Sequence, residues 1–312
     1  MIGFAHFTVG KGSDSMRFSP YLCIRNSITN KKDRTMEANK IKGEAKSLVL
    51  DNGVELTYCE RGEGNKEVMI TGAFYFHTLM PVVELLAERY HVYGVVMRFD
   101  GVTTEKNADG TTHWGRQWGK DIYDFAVKMG VERFHYLGKC HGTVPGWWLF
   151  KNHPEMLIDF CSFFLAPHLK GQTSNTWFEL MSGNDTSKMM AAAMRKVETG
   201  LPKKMAEMKS IGNSASSPAV PLYASAPEKM WDSLEDCERD LMSAKVPVGY
   251  MFGSEDPLMA DYWESNMYAW KVTRGCHFTI LNGEKHLMEL DTPERVADEA
   301  FAFIDQAHRN YE

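Results

Sequence analysis

The chain has 312 residues, 44% hydrophobic and 24% charged, which is room for one large α/β domain carrying an insertion or for two small domains. A net charge of −6 gives a polyanion nothing to bind, so no nucleic-acid partner is expected. No run approaches the roughly 18 uninterrupted apolar residues of a membrane span, and six scattered cysteines (Cys23, Cys59, Cys140, Cys161, Cys237, Cys276), with no CxxC pair and no metal-ligand spacing, read as free thiols of a reducing cytoplasm.

Residues 1–40 carry seven Lys/Arg against three acids and show no sustained periodicity, which reads as a poorly ordered tail. A second reading starts translation at Met36. From residue 47 the pattern is regular. SLVLDNGVELTYCE reads as two strands joined at Asn52-Gly53. Strands are predicted at 67–72, 91–100, 133–139, 158–167, 246–253 and 276–283. Helices are predicted at 81–90, 115–129 and 141–152, near 260–270, and from 293, where Val296, Ala300, Phe303 and Ile304 follow a Thr292-Pro293 start. The alternation predicts a mostly parallel central sheet flanked by helices. It breaks at 168–244, a polar, helical and Met-bearing stretch. The expected architecture is therefore a core over 41–167 and 245–312, split by a helical cap at 168–244.

The chemical signal is Gly138-Lys139-Cys140-His141-Gly142, between a predicted strand and a predicted helix. It fits the G-x-nucleophile-x-G elbow with Cys in place of the commoner Ser. The tight turn lifts the thiol above the carboxyl end of the sheet. It also sets the next backbone N–H, that of His141, at a helix start, where it can serve an oxyanion. A nucleophile needs a base and the base an orienting acid, in the chain order nucleophile, acid, histidine. Cys140, Asp256 and His286 supply that order, each beyond a predicted strand end. Glu255 competes with Asp256 as the acid. A buried structural Cys, a solvated loop acid and a surface His are the plain alternatives.

With these residues placed, the chain from 47 to 306 outside the insertion resembles the α/β-hydrolase superfamily, nearest its capped lactonase, esterase and meta-cleavage-product hydrolase branch. The resemblance is carried by AERYHVYGVVMRFDG (87–101), GKCHGTVPGWWLFKNHPEML (138–157), MFGSEDPL (251–258) and GEKHLMELDTPERV (283–296). It implies an α/β-hydrolase fold, and a second oxyanion N–H just after the glycine of Thr71-Gly72, at Ala73 or Phe74. It departs from the family where Thr71 replaces a His and Lys285 a Gly. Cys in the nucleophile position is similar to dienelactone hydrolases.

Tyr75 and His77 follow the oxyanion loop, and Trp177 and Phe178 open the insertion; each is a candidate pocket residue or ordinary packing. Lys139 reads either as an aid to the thiolate or as a solvent-facing Lys, and Trp147 and Trp148 read as core. No Walker loop, early GxGxxG or HExxH occurs, so neither cofactor nor metal is expected. The expected activity is hydrolysis of an ester, enol-lactone or thioester of a small apolar or aromatic substrate. Carbon–carbon bond hydrolysis or lyase chemistry on a β-diketone-like substrate, and a non-catalytic ligand-binding role, are the alternatives. No membrane partner is expected, and homodimerisation stays open.

Overall fold

The structure, a computed structural model, describes residues 45–73, 76–98, 101–108, 110, 112–163, 167, 230–256 and 259–311. The expected tail, and residues 168–229 of the expected cap with Trp177 and Phe178, lie outside the described residues, as do Phe74 and Tyr75.

The chain opens with β1 (Lys46–Val49) and β2 (Glu55–Arg61), an antiparallel pair. Gly53 takes φ +82° in the turn between them, and the Asn52 side chain accepts from the Val54 N–H at 3.0 Å. Then follow β3 (Val68–Ala73), α1 (Phe76–Leu86), β4 (His91–Val96), α2 (Trp114–Lys128), β5 (Phe134–Lys139), α3 (Thr143–Asn152) and β6 (Leu157–Phe163). After the break come α4 (Leu234–Met242), β7 (Val248–Gly253), α5 (Met259–Val272), β8 (His277–Leu281), α6 (Met288–Asp291) and α7 (Pro293–Tyr311). Among the described residues the strands form one eight-stranded sheet in the order β1-β2-β4-β3-β5-β6-β7-β8. Neighbours from β4 to β8 pair parallel, and β2 joins β4 antiparallel.

Both faces of the sheet are apolar, which explains the continuous hydrophobic strands. Alternate residues serve opposite clusters: Tyr136, Phe160 and Tyr250 face one side with α2, α3, α4 and α5. Leu137, Cys161 and Met251 face the other with α1 and α7. Trp147 and Trp148 are core, as expected.

One boundary differs from the sequence reading. The helix expected over 81–90 runs over Phe76–Leu86, with Pro81 inside it rather than at its start. An interior proline costs a helix about 3 kcal/mol. Leu79, Met80, Val82, Val83 and Leu86 are all buried there, and at about 1.5–3 kcal/mol per buried side chain they outweigh it. Of the expected cap, residues 230–244 are described. Met230, Trp231, Cys237 and Leu241 pack in the cluster that holds α3 and α5, and Lys151 of α3 donates to the Met230 carbonyl at 2.9 Å.

Candidate active site

The strand ends β5, β7 and β8 bring the three candidate catalytic residues together. Cys140 follows β5 directly and is the one non-glycine residue at positive φ among those described, at +53°. The turn is that tight because its flanks nearly touch. A Cβ on Gly138 would sit 2.3 Å from the Gly142 carbonyl oxygen, which leaves glycine as the residue that fits. Two hydroxyls hold the turn. Thr143 Oγ1 donates to the Cys140 carbonyl (2.7 Å). Tyr136, buried on β5, donates to the Gly142 carbonyl (2.7 Å) and also bonds the backbone of Gly72. Its hydroxyl thus ties the end of β3 to the elbow.

Asp256 lies in the loop after β7 and His286 in the loop after β8. Both are buried, and Nδ1 of His286 donates to Oδ2 of Asp256 at 2.8 Å. Glu255, the competing acid, is exposed. The two loops are stitched to each other: Glu255 N–H donates to the Glu284 carbonyl (2.9 Å), and Gly283 N–H to Ser254 Oγ (2.8 Å). Arg295 Nη1 and Thr292 Oγ1 hold the Glu284 carboxylate, each at 2.7 Å.

Cys140 hydrogen-bonds the His286 imidazole, and its Sγ lies 3.3 Å from Nδ1 of His141. Burial pushes the thiol up, but His141 and His286 outweigh it and hold the thiol well below its ordinary value. Burial and Lys139 push His286 down. Asp256 and the hydrogen bond to Cys140 prevail, and the imidazole stands at about 9. Both shifts run in the direction that favours a thiolate beside an imidazolium. Burial pushes the thiols of Cys59, Cys161, Cys237 and Cys276 the other way.

Lys139 is buried, contrary to its reading as a solvent-facing residue. Strand alternation turns it away from the elbow face. It donates to the His286 carbonyl and stands 3.8 Å from Glu289 of α6, their side chains 6% and 3% exposed. Burial pushes the Glu289 carboxyl up, while Lys139 and His286 pull it down. Tyr136 and Glu289 carry no signal in the sequence. Tyr136 lies outside the quoted segments, and Glu289 lies within 283–296 at no position the reading singles out; the hydroxyl bonds of Tyr136 and the approach of Lys139 to Glu289 give them a part.

Ala73 closes β3, with its neighbour Gly72 in register with Gly138. His77 lies in α1. His141 is partly exposed. Among the described residues no group of three or more His, Cys, Asp or Glu is placed to hold a metal ion, and no helix is long and apolar enough to cross a membrane.

No protein-family model and no curated protein matches the chain. Solved structures do. The enol-lactonase from Burkholderia xenovorans LB400 matches with a TM-score of 0.63 at 16% identity, over 83% of this chain and 100% of its own. The meta-cleavage product hydrolase from Pseudomonas fluorescens IP01 matches with 0.63 at 13%, over 84% and 98%. A thermophilic esterase from Thermogutta terrifontis matches with 0.62 at 15%, over 85% and 100%. The chain is similar to them in fold, and its eight mostly parallel strands flanked by helices are the α/β-hydrolase fold.

Proposed function

We propose that this chain, an α/β-hydrolase by fold, cleaves an ester, enol-lactone or thioester of a small apolar or aromatic substrate through an acyl-cysteine at Cys140. The observation that carries the reading is a positive-φ cysteine whose thiol hydrogen-bonds an imidazole that is itself fixed by a buried carboxylate. Thiolate adds to the acyl carbon. The developing oxyanion is met by the backbone N–H of His141 and by that of Ala73 or Phe74. The bond to the leaving group breaks as His286 gives it a proton. In the second step neutral His286 takes a proton from water, whose oxygen attacks the acyl carbon. The carbon–sulfur bond breaks and the thiolate returns. Asp256 keeps Nδ1 of His286 protonated and so leaves the other ring nitrogen for both transfers. Ligand binding without turnover, the alternative, gives no role to a thiol held low.

Sulfur in place of oxygen selects the leaving group. Thiolate leaves a tetrahedral intermediate more readily than an alkoxide does, so alkyl esters mostly return to substrate. Enol, aryl and thiol leaving groups compete well. Aryl and alkyl esters of one acid, compared on the native enzyme and on Cys140→Ser, test this. The aryl preference is expected to shrink in the serine variant; an unchanged preference overturns leaving-group control at sulfur.

A further inference from the structure

A nucleophile–base–acid triad uses one imidazole on its nucleophile. Cys140 has two: His286, reached from the loop after β8, and His141, from its own turn, with Nδ1 at 3.3 Å from Sγ. We propose that the side chain of His141 is a second catalytic imidazole, which holds the Cys140 thiolate by donation from Nδ1 so that the proton of His286 goes to the leaving group and is regained from water. This rests on Cys140 being the nucleophile, and it adds a ring function to a residue otherwise engaged through its backbone.

The conflict it resolves is one of proton use. With a single partner, the proton that stabilises the thiolate is the proton the leaving group needs. His286 also holds that proton tightly, because Asp256 stands behind it at 2.8 Å. A donor on the sulfur that stays in place through both steps separates the tasks. His141 suits this one: it is next to Cys140 in the turn, its Nδ1 stands 3.3 Å from Sγ, and it is partly exposed while His286 is buried. The other described charged groups near the site are Asp256 behind His286, Lys139 of β5, and Glu289 of α6, whose carboxyl burial and Cys140 push up. Neither carboxylate stabilises a thiolate, and Lys139 is engaged with the His286 carbonyl. That leaves the two imidazoles.

Acylation then proceeds with His141 still on the sulfur side of the new carbon–sulfur bond. The leaving oxygen or sulfur takes its proton from His286. Deacylation returns a proton from water to His286 and the electron pair to sulfur, where His141 receives the thiolate again. No proton is gained or lost by His141 across the cycle.

The test is the pH dependence of Cys140 alkylation by iodoacetamide, read at that residue by peptide mass mapping, in the native chain, His141→Gln, His286→Gln and the double variant. Free thiols ionise near about 8.5. The native midpoint is expected well below that value. Each single variant is expected to stay below it while rising by about one unit, and the double variant is expected to reach it or pass it. His286→Gln is also expected to trap acyl-enzyme from an aryl ester, because its thiolate survives and its water-activating base does not. A native-like midpoint in His141→Gln, or a full rise to the ordinary value in His286→Gln alone, overturns the proposal. The second outcome decides the matter even where His141→Gln does not fold. A native midpoint at the ordinary value overturns the nucleophile assignment instead, so the two failures are told apart.

Discussion

At Cys140 the backbone stands at φ +53°, a conformation that costs a non-glycine residue about 1–2 kcal/mol. The strain aims the thiol between two imidazoles, and it is measurable apart from the chemistry. Cys140→Ala and Cys140→Gly both lack the thiol and differ only in a Cβ at positive φ. The glycine variant is expected to be the more stable by about 1 kcal/mol in urea unfolding; equal midpoints would mean that the elbow is relaxed. Residues that act as a unit lose activity as a unit. Cys140→Ala and His286→Ala are each expected to lower kcat by about a thousandfold or more, and the double variant hardly further. Asp256→Asn is expected to be milder, and additive losses would separate the residues into independent roles. That Cys140, Asp256 and His286 come together is legible in the sequence because an expected order along the chain and three strand ends constrain each other. Which of Asp256 and Glu255 meets His286 is not legible there; the structure buries Asp256 and bonds it to His286 at 2.8 Å.

Among elements, β5 and α6 meet through a buried pair, Lys139 and Glu289, to which the motifs assign no role. Lys139 donates to the backbone of His286 and neutralises Glu289 in an interior that penalises both charges. Removing one partner leaves the other unpaired. Lys139→Met is therefore expected to destabilise the chain by about 3–5 kcal/mol, and adding Glu289→Leu to recover much of it. A double-mutant cycle in denaturant measures the coupling, and simple additivity would deny the pair. The sequence leaves Lys139 ambiguous because strand alternation assigns a face but not what packs on that face. Only the register of β5 over α6 makes it a buried positioning residue. The start of α1 is obscured for a similar reason. Pro81 is a good first helical residue by local rule, and burial of Leu79 and Met80 draws a turn of helix in front of it.

At the scale of the molecule, the strand–helix alternation is legible because strands buried on both faces are continuous apolar runs, and these mark a parallel sheet on their own. The fold persists where sequence likeness has faded to 13–16%, the range of the enol-lactonase, the esterase and the meta-cleavage product hydrolase. Residues 230–244 are hard to place for the opposite reason. Their polar composition conceals the few side chains, Met230, Trp231, Cys237 and Leu241, that join the core. The amino-terminal residues carry none of the strand–helix pattern, and truncation to Met36 is expected to leave turnover within a few-fold; a hundredfold loss would place part of the catalytic fold in them. The central claim is an acyl-cysteine at Cys140, and intact-mass spectrometry after mixing with an activated aryl ester tests it most directly. The account predicts one acyl group added to the native chain, longer lived in His286→Ala and absent from Cys140→Ala. An adduct that persists in Cys140→Ala, or hydrolysis of the ester with no adduct in His286→Ala, would contradict it.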